Sequence, residues 1–315
     1  MDSTPLDTTI VIPTHTEDRW SSLVRTIACA MSQQAAPAEV VVVVDHNPAL
    51  FHRIERELPG VIVLENAFAK GVSGNRNTGA FHAKTALVAF MDDDITAGPE
   101  WLGRLIEPFS DPRVVGTGGG IIPAWEREKA PSWMPEEFLW AVGGSYAGMP
   151  TETSPIRNVW SASMVVRRQI FDAVGGFRVG FGKLGDRNRP EDTELCLRMS
   201  AYDGGQWMYV PGAMIRHEVP ANRSTFPWFV KRCYAEGRGK VQMAGLDQGG
   251  SDTLGTERSY LWSLPKAAVR NLATGRFGKA GGIVAGVAAA GWGGVVETVA
   301  AKRAPKTDQP LEAAR

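Results

Sequence analysis

Three carboxylates stand in a row at Asp92-Asp93-Asp94, directly behind the apolar run Leu87-Val88-Ala89-Phe90-Met91. Three adjacent acids repel one another unless a positive charge sits among them. A divalent cation does this well, because Mg²⁺ and Mn²⁺ prefer oxygen ligands and often share them with a substrate phosphate. Asp also favours helix caps and turns, so the same triplet reads equally as a solvated turn before the next helix. A second acidic group, Glu191-Asp192-Thr193-Glu194, follows Pro190. It suits the first turn of a helix, where each carboxylate gains roughly 0.3–1 kcal/mol from the helix dipole. His15, a lone histidine, reads first as structural, whereas His217 reads equally as structural or as a metal or phosphate contact.

Position separates the two readings of the triplet. Leu87 to Met91 has the length of a buried strand, and three β/α units precede it. Thr8 to Pro13 reads as a first strand, Trp20 to Gln33 as a helix, and Glu39 to Val44 as a central valine strand ending at Asp45. Ala49 to Leu58 reads as a short helix, Val61 to Leu64 as a third strand, and Gly71 to Lys84 as a Gly-rich turn with a helix. This alternation implies a mostly parallel sheet with right-handed crossovers. In such sheets ligands bind beyond the carboxyl ends of the strands, where Asp92 to Asp94 fall. The lack of G-x-G-x-x-G after the first strand argues against a Rossmann dehydrogenase, and Walker A is also absent.

The second half changes character. Trp125, Trp133, Phe138 and Trp140 cluster among prolines and glycines, either as core aromatics or as a stacking wall for a substrate. Pro99 to Pro108 is expected to be helical, and Val114-Val115 a strand entering the run Gly116 to Gly120. Ile156 to Val166 reads as one strand and Arg168 to Val174 as a helix. Gly175 to Arg189 reads as a loose loop long enough to cover a substrate. Leu195, Met199 and Tyr202 should form the inner face of the next helix. Two short strands, Trp207–Val210 and Ala213–Ile215, lead to Arg216-His217-Glu218. A helix over Thr225 to Lys240 should turn Phe226, Phe229, Val230 and Cys233 inward.

Bulk properties narrow the classes. The 315 residues carry 34 Lys and Arg against 34 Asp and Glu, so no net basic charge points to nucleic acid. The three cysteines, Cys29, Cys196 and Cys233, form no C-x-x-C pair, which argues against a zinc ribbon or a disulfide framework. The N-terminus shows no signal-peptide pattern, so the expected location is cytoplasmic, with contact at the inner face of the cell membrane through the C-terminal extension left open.

Six stretches, in order, carry a resemblance: Ile10-Val11-Ile12-Pro13-Thr14; the strand ending at Asp45; Lys70-Gly71-Val72-Ser73-Gly74-Asn75-Arg76-Asn77-Thr78-Gly79; Phe90-Met91-Asp92-Asp93-Asp94; Val174-Gly175-Gly176-Phe177; and Glu191 to Arg198. Over residues 8 to 240 the chain resembles the inverting, non-processive family 2 glycosyltransferases. The resemblance implies an α/β fold of the GT-A nucleotide-diphospho-sugar transferase type: a mixed, mostly parallel sheet flanked by helices, with a C-terminal helical extension. Residues 1–240 would form the catalytic domain, with a nucleotide half at 8–120 and an acceptor half at 121–240. Residues 241–315 would form a linker, a helical extension and a disordered tail.

The resemblance also assigns roles. Pro13, Thr14 and Asp45 would meet the donor's base and ribose, and Arg76 would help hold the nucleotide. Asp92 and Asp93 would face the nucleotide, with Asp94 the metal ligand and His217 an additional one. Asp192 would be the general base and Glu191 would position the acceptor. Trp125, Trp133 and Trp140 would line the acceptor side. The cofactor would be Mn²⁺ or Mg²⁺, the donor a UDP- or dTDP-sugar, and the acceptor a carbohydrate, lipid-linked or small-molecule hydroxyl in polysaccharide, glycolipid or natural-product glycosylation. The stretch Ser161-Ala162-Ser163-Met164-Val165-Val166-Arg167-Arg168 departs from the family's usual pattern on the acceptor side. The processive Q-x-x-R-W signature is missing.

Two rival readings stay open at this level. Asp92-Asp93-Asp94-Ile95-Thr96 formally matches the D-x-D-x-T nucleophile motif of haloacid dehalogenase-type phosphatases, although that motif normally ends the first strand. A non-catalytic sugar-nucleotide or glycan-binding protein could keep the same fold. In the tail, Ala280 to Val296 carries no charge but is dominated by Gly and Ala. It reads as a membrane-surface helix or as a helix packed on the catalytic domain or on a partner subunit.

Overall fold

A computed structural model describes residues 7–184, 187–244 and 255–303. The strands are β1 (Thr8–Thr14), β2 (Glu39–Val44), β3 (Ile62–Glu65), β4 (Leu87–Met91), β5 (Ile95–Ala97), β6 (Val114–Trp125), β7 (Ser154–Ile156), β8 (Ser163–Arg167), β9 (Gly182–Leu184), β10 (Arg187–Arg189) and β11 (Gln206–Val219). The helices are α1 (Trp20–Met31), α2 (Pro48–Glu57), α3 (Val72–His82), α4 (Trp101–Ile106), α5 (Arg168–Ala173), α6 (Glu191–Asp203), α7 (Phe226–Ala244), α8 (Gly255–Ala273) and α9 (Phe277–Arg303).

The main sheet runs β3-β2-β1-β4-β8-β6-β11-β5, with β7 on β11. The first four strands are parallel, and Ile10 sits opposite both Val40 and Ala89. β8 enters antiparallel between β4 and β6. Side chains alternate across each strand, so the valine-rich strands feed two cores. Ile10, Ile12, Val40, Val42, Leu87 and Ala89 pack with α1, α2 and α4 residues on one face. Val11, Val41, Val43, Val88 and Phe90 pack with Phe171, Leu195 and Met199 on the other. Strands buried on both faces need uninterrupted apolar runs, which these supply. A third core joins Met134, Phe138 and Val142 to Phe229 and Cys233 of α7, Leu264 of α8 and Ile283 of α9.

The glycine run after Val115 does not end a strand. β6 continues through it to Trp125 because neighbouring atoms fill the space that side chains would occupy. A Cβ on Gly116 would lie 2.2 Å from the Trp207 ring, on Gly118 2.3 Å from Val159, and on Gly119 2.1 Å from the Ala213 carbonyl oxygen. The two short strands expected before Arg216 are one strand, β11, with a register shift between Val210 and Ile215. Ile156 to Val166 is two strands rather than one, β7 on β11 and β8 on β4 and β6. β5 escapes a reading by pattern because its three residues are strand only through pairing with Ile215 to His217. Tyr202, expected on the inner face of α6, is 59% exposed while Leu195 and Met199 are buried, and Phe226 is half-exposed at the edge of the third core.

The Gly-rich segment after α5 is not loose where it is described. Asn77 of α3 clamps Phe177, donating to its carbonyl at 2.7 Å and accepting from its N–H at 2.8 Å. Arg198 donates to the carbonyls of Val174 and Gly176, Ser73 donates to that of Phe181, and β9 and β10 form a hairpin. The expected linker from Gly245 falls almost wholly outside the described residues, as does the tail from Ala304 onward.

Candidate active site

β4 ends at Met91, and the chain turns through Asp92 to Asp94 into β5. Pairing of β5 with β11 sets Ile95 opposite His217, and the Glu218 N–H donates to the Asp94 carbonyl at 3.0 Å. The acidic turn is thereby held against the histidine by backbone, not by side chains alone. One ligand atom each from Asp92, Asp94 and His217 lie within 4.8 Å of one another. Asp94 Oδ1 is 3.2 Å from His217 Nε2 yet has no hydrogen-bond partner among the described residues, and it is buried. Two ligands side by side on an octahedral ion with bonds of ~2.1 Å stand about 3 Å apart. An unpartnered buried carboxylate oxygen at that spacing fits a divalent cation.

Asp93 points the other way. Its Oδ2 accepts from the Thr14 hydroxyl at 2.7 Å and its Oδ1 from Arg19 Nη1 at 2.7 Å. The same Arg19 nitrogen is 3.0 Å from Asp94 Oδ2, so one guanidinium neutralises part of the acidic turn. Burial raises the Asp93 pKa against the pull of Arg19 and Thr14. Burial acts on Asp94 too, but His217, Arg19 and Arg223 outweigh it and hold Asp94 below its ordinary value. Burial alone would depress His217, but the Asp94 carboxylate overcomes this and raises it.

The ends of β1 and β2 form a second wall. Asp45 Oδ1 accepts from Asn66 Nδ2 at 2.7 Å and Oδ2 from the Gly71 N–H at 3.0 Å. Asn75 ties the wall together by donating to the carbonyls of Thr14 and Val43. Thr14, beside Pro13 at the end of β1, and Asp45 are buried polar residues at adjacent strand ends, as a nucleotide-binding crevice requires.

Arg76 joins this half to the other. From α3 its Nη2 donates to Asp92 at 2.7 Å and its Nη1 reaches Glu191 at 3.5 Å. Its guanidinium lies 5.5 Å from the centre of the Phe177 ring. Glu191 and Asp192 open α6, with Glu194 occupied by Arg198 and Arg178. Burial and the neighbouring Asp192 charge push Glu191 up to about 8. Burial also raises Asp192, while Arg76 and hydrogen bonds from Ser161 oppose it. Asp192 Oδ1 is buried and has no hydrogen-bond partner among the described residues.

A family model for glycosyl transferase family 2 matches residues 9–175. The chain is a family 2 glycosyltransferase. The glucosyl-dolichyl phosphate glucuronosyltransferase of Haloferax volcanii is 30% identical over 248 residues, covering 77% of this glycosyltransferase and 79% of the relative. Two solved structures share the fold. A Pyrobaculum calidifontis mannosyltransferase in complex with GDP-Man and Mn²⁺ has a TM-score of 0.57 at 17% identity, with 95% of this chain and 85% of that one covered. The transferase GalNAc-T7 with UDP, GalNAc and Mn²⁺ has a TM-score of 0.54 at 18% identity, covering 82% and 54%. The fold of this glycosyltransferase is therefore GT-A, with a mixed, mostly parallel sheet and a C-terminal helical region.

The structure brings Asp92, Asp94 and His217 together, sets Asp93 and Thr14 beside Arg19, and joins Arg76 to Glu191. Trp125, Trp133 and Trp140 pack against the third core. Trp133 meets Phe226 and Phe229 edge or tilted, and Trp140 donates to the Tyr260 hydroxyl at 2.9 Å. All three are only partly buried, so each packs on this core while keeping part of its surface open. Arg19, Ser161, Asn66 and Asn75 were not singled out in the sequence. Asn75 lies within the Gly-rich stretch and Ser161 within the divergent one, but Arg19 carries no signal beyond following the first strand's turn.

Proposed function

We propose that this glycosyltransferase moves a sugar from a nucleotide-diphosphate sugar to an acceptor hydroxyl by a single displacement that inverts the anomeric centre. The observation that carries the reading is the pairing of two acid sets across Arg76: Asp92, Asp94 and His217 on one side, Glu191 and Asp192 on the other. A divalent cation held by Asp92, Asp94 and His217 would act as a Lewis acid on the departing diphosphate. Arg76 and Arg19 add positive charge where that negative charge develops. Asp192, with its free Oδ1, takes the proton of the acceptor hydroxyl, which is a weak nucleophile until then. Glu191 holds a proton near neutrality and orients the acceptor by donating it in a hydrogen bond. Thr14 and Asp45 receive the base and ribose, with UDP or dTDP as the nucleotide. The name of the Haloferax relative supports a lipid-phosphate-linked sugar as acceptor, in envelope glycoconjugate synthesis.

A donor panel with Mn²⁺, read as nucleoside-diphosphate release, tests the donor class and separates transfer from binding without turnover. Anomeric coupling constants of the isolated product test the displacement. A product retaining the donor's configuration, or full turnover in EDTA, would overturn the proposal.

A further inference from the structure

The two C-terminal helices carry an apolar surface that no other described part of the chain covers. α9 is built with two opposite faces. Along one, Gly282, Gly286 and Gly293 let the helix press on its neighbours. Their Cβ atoms would fall 2.5 Å from the Trp133 carbonyl, 2.5 Å from Phe138 and 2.1 Å from the Tyr234 carbonyl. Along the other, Phe277, Val284, Val287, Trp292, Val295 and Val299 stand exposed. At 3.6 residues per turn these six occupy about 140° of the helix surface. α8 repeats the pattern: Leu264, Ala267 and Asn271 are buried, while Leu261, Trp262, Val269 and Leu272 are exposed, Trp262 at 80%. The inner faces of both helices pack on Trp133 to Val142, so their outer faces look away from the catalytic domain together.

Charge selects the occupant. Residues 255–303 hold seven Lys and Arg against two Glu, in a chain with 34 of each sign, so the remainder is net acidic. Lys266, Arg276 and Lys302 are exposed alongside the apolar stripes. A protein partner would need only the apolar stripe, but an anionic bilayer needs apolar residues, indole rings at headgroup depth and cations beside them.

We infer that the α8–α9 hairpin docks this enzyme flat on an anionic lipid bilayer. α9 is long enough and apolar enough to span one, but its glycine face is occupied by α7 and the Trp133–Val142 segment. Glu297 accepts from Arg238 and Gln242 of α7. Spanning would drag that ionic contact into hydrocarbon, where charges are costly.

The test uses the full chain and flotation with vesicles of phosphatidylcholine alone or with phosphatidylglycerol added. The protein should float with the anionic vesicles and much less with the neutral ones. Trp262→Ser with Trp292→Ser should weaken binding by about tenfold or more. Lys266→Glu, Arg276→Glu and Lys302→Glu together should weaken binding to anionic vesicles by about a hundredfold or more, because losing each cation costs roughly fivefold near the surface and the new carboxylates add repulsion. All five positions are exposed, so circular dichroism should confirm unchanged folding. No flotation of the wild type, or flotation unaffected by both variants, would overturn the inference. So would a dimer by light scattering that the Trp substitutions dissociate without any vesicle binding, because a second copy would then be the occupant. None of these readouts depends on turnover, so they fail or succeed apart from the proposed reaction.

Discussion

Asp192→Asn separates catalysis from folding in this enzyme. Asn keeps the shape and the hydrogen bond to Ser161 but takes no proton near neutrality. Loss of a general base costs about 10²–10⁴-fold in turnover, or about 3–5 kcal/mol of barrier at ~1.36 kcal/mol per decade. Stability should move the other way. Burial raises the Asp192 pKa, and its Oδ1 lacks a partner. An acid with a raised folded pKa binds its proton more tightly folded than unfolded. Its stabilising contribution is present below the unfolded value of about 3.9 and is lost as pH climbs through the folded value. Above that, the ionised carboxylate is a net cost that Asn removes. Asp192→Asn should therefore have a melting temperature at neutral pH equal to or above that of the wild type, with the gap narrowing toward pH 4. The assays are single-turnover transfer at saturating donor and thermal denaturation across pH. Donor affinity should barely change, because the base acts on the acceptor. Wild-type turnover, or a clear loss of melting temperature at neutral pH, would refute the reasoning.

Arg76→Gln removes the cation that lowers both Glu191 and Asp192, so the acidic limb of kcat/KM, measured at saturating metal, should rise by about 1–3 pH units. Asp94→Ala should stay folded yet lose Mn²⁺-dependent turnover, and its melting temperature should no longer respond to added Mn²⁺; a wild-type response would remove Asp94 from the metal site. Gly119→Ala would place a methyl 2.1 Å from the Ala213 carbonyl oxygen, and overpacking of this kind costs about 1–3 kcal/mol, readable as an earlier urea midpoint with an unchanged slope.

The first part of the sheet was legible in the sequence because β1, β2 and β4 are buried on both faces and carry their own apolar runs. Val40 to Val44 needs no partner to be recognised. The strands from β5 onward are written in pairings instead. β5 exists only against β11, and β6 passes through glycines whose reason lies in Trp207, Val159 and Ala213, far away in sequence. The site divides likewise. Asp92 and Asp94 were visible as a cluster, whereas the opposite orientation of Asp93 follows from the turn and from Arg19, which no local pattern marks. The tryptophans are ambiguous in sequence because an aromatic cluster looks alike whether it lines a groove or receives a helical hairpin. The hairpin's glycine face was the missing clue.

Arg76 bears on the sequence in which substrates arrive. It is one cation shared by two sets of acids, touching Asp92 at 2.7 Å and Glu191 at 3.5 Å. While Asp92 claims it, the acids of α6 keep their protons more readily. In the proposed reaction, a donor and cation that satisfied Asp92 would leave the guanidinium to Glu191 and Asp192 and so ready the proposed base. Such an enzyme gains little from meeting its acceptor first, and water meets a competent base only in a loaded site. Initial-rate kinetics should show compulsory order, with the nucleoside diphosphate competing against the donor and not against the acceptor; random order would mean that the two acid sets act independently of Arg76.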